Sequence, residues 1–270
     1  MINRKILAVA ALCVTATVGL TACGGGQSEN HADRADRADK AASSPPSPKA
    51  PVDPFEGLTA NQIADKALEA TKSADSLKVA GEGKDDGKDL SLEFALSKAG
   101  DCTGKFSYTG SGQAELLVVD KVPYMKGDEA FWKEIGKQKG TSAKQTTALA
   151  ELLKGRWMKA PAKNANKMGD ACNLDALLKK MDDGHTSGAT KGAPAEINGQ
   201  KAITLTRKEG AETHTFYIAT EGQPYFLKAV TEGGDEPNTL SFTDYNKPVA
   251  VTAPPADQIF DMDKVKAAGS

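Results

Sequence analysis

The chain has 270 residues, with 36 acidic and 34 basic side chains and a formal charge of −2. That balance leaves no basic footprint for nucleic acid, and no nucleic-acid-binding module is visible. Four cysteines and three histidines, with no Cys-x-x-Cys spacing, argue against a structural metal site.

Arg4 and Lys5 open the chain, and from Ile6 to Leu20 it is apolar or small and uncharged. That run falls short of the roughly 20 apolar residues a spanning helix needs. A basic start and a short apolar run make a secretory signal. Its end, Leu20-Thr21-Ala22-Cys23, resembles the bacterial lipobox, in which the cysteine is acylated and becomes the first mature residue. The expected layout is a lipoprotein signal peptide over residues 1–22 and an extracytoplasmic chain held on the cell membrane through lipid on Cys23. Two or more acyl chains, such as palmitate, give a stable anchor where one barely does. Cys13 leaves with the signal, and loss of Arg4 and Lys5 takes the charge from −2 to −4.

Residues 24–56 contain almost no large apolar side chain. Ala32-Asp33-Arg34, Ala35-Asp36-Arg37 and Ala38-Asp39-Lys40 form a three-residue repeat, followed by Ser43-Ser44-Pro45-Pro46-Ser47-Pro48. Charges that nearly cancel and no apolar face indicate a solvated, disordered linker over 23–56. Its root-mean-square span would be roughly 30 Å.

Residues 57–262 read as one domain, followed by a tail over 263–270. Thr59 and Gln62 are spaced for a capping box, and Ile63, Ala67, Leu68 and Ala74 then share a helical stripe. The period then changes to two. Leu90, Leu92, Phe94 and Leu96 alternate with polar or small residues, and Phe106 and Tyr108 continue the theme. Ala114–Val119 and Val122–Met125 follow as apolar runs, and Asp86-Gly87 suits a hairpin turn. A helical interlude carries Leu149, Leu152 and Leu153, then Leu174, Leu177, Leu178 and Met181 at i, i+3, i+4 and i+7. Strands resume around Asn198-Gly199, with Ile203 and Leu205, then His214, Phe216 and Ile218, then Leu240 and Phe242. Strands, helices and strands again predict an α+β fold: a large antiparallel sheet with helices on one face.

Several C-terminal segments resemble the LppX/LprG family of actinobacterial lipoproteins, which share the curved half-barrel of the periplasmic carrier LolA. They are Ile197-Asn198-Gly199-Gln200-Lys201-Ala202, Phe216-Tyr217-Ile218-Ala219-Thr220, Gly222-Gln223-Pro224-Tyr225, Phe242-Thr243-Asp244-Tyr245-Asn246-Lys247-Pro248-Val249 and Pro254-Pro255. The resemblance implies a LolA-like half-barrel that holds a lipid or glycolipid between sheet and helices, without a cofactor. The pair Cys102 and Cys172 is not a hallmark of that family.

In an exported chain, one remaining pair of thiols predicts a Cys102–Cys172 disulfide. By strand parity, Cys102, Phe106 and Tyr108 share a face unless Gly104 marks a bulge. His185 follows Asp182-Asp183-Gly184, a weak carboxylate–histidine pattern better explained by a solvated loop. No nucleophile with a base and orienter can be argued from spacing, so no catalytic residue is assigned. Trp132 and Trp157 are expected as packing anchors. The expected ligand-lining residues are Leu92, Phe94, Phe106, Tyr108, Phe216 and Ile218 from the strands, with Leu149, Leu153, Leu177 and Met181 from the helices. The alternative is an envelope lipoprotein, a sensor or assembly partner, whose sheet and helices enclose a sealed core.

Overall fold

A computed structural model describes residues 54–161, 172–182 and 188–264; for Lys180, Met181 and Asp182 it describes the backbone alone. The expected signal, Cys23, most of the expected linker and His185 lie outside the described residues. Residues 50–270 form one compact unit. It holds its own core and all the described strand ladders, which is what a segment needs to fold by itself.

The chain starts with α1 (Ala60–Ser73). Thr59 and Gln62 make the reciprocal capping box that their spacing predicts. Five strands follow as a meander: β1 (Ser76–Asp85), β2 (Lys88–Ser97), β3 (Cys102–Tyr108), β4 (Gly112–Val119) and β5 (Val122–Gly127). Asp86 and Gly87 both take positive φ in the β1–β2 hairpin, the geometry that makes an Asp-Gly pair favourable there. Next come α2 (Glu129–Gln138), α3 (Ala143–Leu153), the short β6 (Trp157–Lys159) and α4 (Leu174–Asp182). A second meander runs through β7 (Thr190–Ile197), β8 (Gln200–Glu209), β9 (Glu212–Ala219), β10 (Phe226–Glu232) and β11 (Asn238–Thr243). After a 3-10 turn at Ala256–Gln258, β12 (Ile259–Asp261) completes the described elements.

All twelve strands form one curved, unclosed sheet in the order β12-β6-β5-β4-β3-β2-β1-β11-β10-β9-β8-β7. The pairing of β12 with β6 is parallel and the other pairings are antiparallel. The expected α+β class and large antiparallel sheet are what the chain adopts. The two meanders meet at β1–β11, where Val79 lies opposite Phe242 and Gly81 opposite Leu240.

The β2–β3 register pairs Leu92 with Phe106 and Phe94 with Gly104 without a shift. Gly104 therefore marks no bulge, and Cys102, Phe106 and Tyr108 do share one face. Gly104 has a different purpose. A Cβ there would collide with the Phe94 ring and the Glu93 carbonyl, so its absence lets Phe94 lie flat across β3.

The main core lies between the inner face of the sheet and α1 with α4. Ile63, Ala64 and Ala67 of α1 and Leu178 of α4 are fully buried, as are Leu205, Ile218 and Phe226 of the sheet. Phe55, which composition assigns to the linker, is buried in the same core. Cys102 and Cys172 are bridged, with Cα atoms 5.6 Å apart, and tie β3 to the residues just before α4.

A second cluster, Ala114, Phe131, Trp132, Ala150 and Leu153, packs α2 and α3 onto β4 and β5. Helix α2, unlike α3 and α4, has no counterpart in the sequence-based expectation. Asp128 caps it by accepting from the Phe131 N–H at 2.7 Å. Gly127 lets the ring of Phe131 sit directly on β5. The edge strands β6 and β12 are likewise too short to show a period.

A candidate ligand cavity between the sheet and two helices

Between β3–β6 and the pair α2–α3 lies a cavity of about 570 Å³. Its inner wall is apolar: Phe106, Met125 and Met158 from the sheet, Phe131, Trp132 and Ile135 from α2, Leu149 from α3, and Met262. The aromatic groups form a continuous run. Phe106 meets Phe94 at 6.4 Å and Phe131 edge-on at 5.8 Å, and Phe131 meets Trp132 at 5.1 Å. Trp132 is 3% exposed, and among the described residues its indole N–H has no hydrogen-bond partner. Leaving a buried donor unpaired costs on the order of 1–3 kcal/mol.

The mouth is polar. It lies between the β1–β2 hairpin tip, with Asp85, Asp86 and Lys88, and the last turn of α2, with Glu134, Gln138 and Lys139. Lys88 spans the two sides, donating to Glu134 Oε1 and to Ser111 Oγ, each at 2.9 Å. The hydrogen bond from Lys88, then that from Gln138, holds the Glu134 carboxyl below its ordinary range. Exposed ion pairs contribute about 0–1 kcal/mol. Glu134→Gln should therefore leave the midpoint of urea denaturation close to that of the parent.

Tyr108 donates to Asp85 Oδ2 at 2.6 Å. Desolvation, then this bond and the charges of Asp85 and Asp86, pushes the phenol up to about 12. The folded state thus favours the protonated phenol. Its contribution is complete below about pH 10, the ordinary tyrosine value, and is lost as pH rises through about 12. Burial raises Tyr245 as well, so some alkaline loss remains without Tyr108. Tyr108→Phe should make the fall in Tm between about pH 10 and pH 12 shallower than in the parent. A pH titration of thermal unfolding checks this.

The expected lining residues divide. Phe106, Tyr108 and Leu149 come together at this cavity. Leu92 shares the inner face but lines a separate pocket of about 370 Å³ with Gly81, Leu90 and Leu240. Phe94, Phe216 and Ile218 lie in the close-packed main core, and Leu177 packs against it from α4. Leu153 is fully buried in the second cluster. The Met181 side chain lies outside the described residues.

Helices α3 and α4 were expected to close the ligand pocket; this cavity is walled by α2 and α3. Met125, Phe131, Trp132, Ile135, Met158 and Met262 had not been anticipated as lining residues. The available signal was Asp128 as an N-cap before Phe131 and Ile135 at helical spacing.

His214 is 6% exposed, with Nδ1 3.1 Å from Thr231 Oγ1 and Nε2 3.4 Å from Glu212. Among the described residues there is no group of three or more His, Cys, Asp or Glu side chains that could hold a metal ion. Among the same residues, no helix is long and apolar enough to cross a membrane.

No family model matches this chain, and neither does any curated protein. Solved structures do. LprF from Mycobacterium bovis is 13% identical with a TM-score of 0.48, over 73% of this chain and 97% of that one. The complex of MucA and MucB from Pseudomonas aeruginosa matches at 13% identity and a TM-score of 0.34, over 74% of this chain and 59% of that one. Lipoprotein LppX from Mycobacterium tuberculosis is 16% identical with a TM-score of 0.45, over 72% of this chain and 98% of that one. The solved structures to which this chain is similar thus include LprF and the lipoprotein LppX.

Proposed function

We propose that this chain is an extracytoplasmic lipoprotein, held on the cell membrane through lipid on Cys23, whose domain takes up a lipid or other apolar ligand. The observation that carries this reading is the cavity of about 570 Å³ with an apolar wall and a polar mouth. Its size falls inside the range of about 300–1,000 Å³ typical of ligand sites. A close-packed core of native density leaves no comparable space. Uptake would be reversible and driven by removal of apolar surface from water, at about 25 cal/mol per Å².

Native mass spectrometry of residues 50–270, followed by organic extraction, tests the reading. A bound apolar species is expected. Leu149→Trp fills the cavity from α3 and should cut bound ligand severalfold, with stability changed by less than about 1 kcal/mol because the added ring enters open space. A ligand-free protein that Leu149→Trp destabilises by about 1–3 kcal/mol, the cost of overpacking, would overturn it. For the anchor, Cys23→Ala should abolish incorporation of labelled palmitate. Unchanged labelling would place the lipid elsewhere.

A second reading, an envelope lipoprotein with a sealed core and a protein partner, draws on the region beneath α1 and α4. There Ile63, Leu178, Leu205 and Ile218 are all 0% exposed. The ligand-free outcome above is the one that favours it.

A further inference from the structure

The exposed side of the α2–α3 pair differs in charge from the rest of the molecule. Residues 133–156 carry six basic side chains, Lys133, Lys137, Lys139, Lys144, Lys154 and Arg156, and two acidic ones, a net charge of +4 on a chain of −2 overall. All six basic side chains are exposed. Among the described residues, the one ion pair they make is that of Lys133 with Glu129, and the acid Glu134 is already matched by Lys88. Such a group of unmatched cations attracts an anionic surface over about a Debye length. Five of the six are lysines, point charges without a fixed fork, which suit a diffuse field of phosphates better than one shaped acidic partner.

The same side presents apolar groups. Lys144, Ala148 and Leu152 follow at i, i+4 and i+8 along the exposed face of α3. Leu152 is 46% exposed, and among the described residues it is the one large hydrophobic side chain left in water. Gly155, at φ +70°, then turns the chain, and Arg156 and the half-buried Trp157 follow. Lys126 Nζ lies over the Trp157 ring, 5.7 Å from its centroid. A leucine and a tryptophan set among Lys126, Lys154 and Arg156 suit a bilayer interface, where apolar groups enter the acyl boundary and cations stay among the phosphates.

We propose that the outer side of α2 and α3, centred on Leu152, docks on an anionic phospholipid bilayer. Leu149 and Met158, which bracket the Leu152–Trp157 segment in the chain, line the cavity. Docking therefore brings the cavity wall to the lipid surface. The docking surface is independent of the cavity's contents: a domain that holds no lipid would dock in the same way.

The test uses residues 50–270, free of any anchor, in flotation with vesicles of phosphatidylcholine alone or mixed equally with phosphatidylglycerol. Binding to the mixed vesicles is expected to be about tenfold tighter at low salt and to fall as salt rises. Each basic residue near such a surface strengthens binding roughly fivefold. Lys154→Gln with Arg156→Gln should therefore weaken it on the order of tenfold, and Leu152→Ser severalfold. Lys98→Gln with Lys208→Gln, beside β2 and on β8, should leave it within about twofold. All five of these side chains are exposed, so the variants should melt with the parent. The mixed vesicles should also shield Trp157 from acrylamide, whereas Trp132, at 3% exposure, is shielded already. No flotation with the mixed vesicles, equal binding to both kinds, unchanged quenching, or equal losses from the two paired substitutions would overturn the docking surface. A domain that floats as expected but yields no lipid on extraction would overturn the ligand-site reading alone.

Discussion

Removing the Cys102–Cys172 bridge by a double substitution to alanine is expected to lower the unfolding free energy by about 4 kcal/mol. The bridge spans a sequence separation of 70 residues. For a loop of that length, the lost entropy of the unfolded chain amounts to about 4 kcal/mol in the chain-entropy treatment. Alanine is the appropriate replacement. Both sulfurs lie in the core, at 0% and 1% exposure, where a serine hydroxyl would need a partner. Urea denaturation under non-reducing conditions measures the change, and the slope should rise as the unfolded chain expands. A loss under about 1 kcal/mol would show that the bridge does not constrain the unfolded chain. Ligand uptake by the folded variant should persist. The bridge anchors the region before α4, whereas the cavity is walled by α2 and α3.

Truncating Phe242 to alanine should cost about 3–5 kcal/mol, the range for a large aromatic side chain lost from a core. Phe242 is 1% exposed and sits on β11 opposite Val79 of β1. That pairing joins the two meanders into one sheet. The cavity left behind cannot close easily, because strands on both sides hold the backbone in register. Leu149→Ala makes the contrast: it lies on the wall of an existing cavity and should cost less than about 2 kcal/mol, below the usual Leu→Ala range. The two unfolding midpoints separate the packed half of the inner face from the open half. Equal losses at both positions would contradict that division.

The strands and helices with a long period were legible in the sequence. Alternation at Leu90, Leu92, Phe94 and Leu96 marks β2, and the i, i+3, i+4 stripe at Leu174, Leu177 and Leu178 marks α4. The Thr59–Gln62 capping box and the Asp86-Gly87 turn were legible too, because each is a local backbone requirement. Parity also placed Cys102, Phe106 and Tyr108 on one face. Helix α2 was missed because Phe131, Trp132 and Ile135 make only a brief stripe. Strands β6 and β12 have three residues each, too few to display a period of two.

The sequence by itself determined the types of the longer elements, most of their inward-facing residues and the pairing of the long strands that neighbour each other along the chain. These follow from backbone preferences and from the periods of 3.6 and 2.0 that carry apolar side chains to one side. The tertiary structure alone decided the β1–β11 junction, the parallel docking of β12 on β6, and which part of the inner face stays open. Apolar periodicity records that a side chain leaves water, not which side chain it meets. Phe106 and Phe216 carry the same inward pattern; one lines a cavity under α2 and the other is packed beneath α1 and α4, because different helices cover the two halves of the sheet.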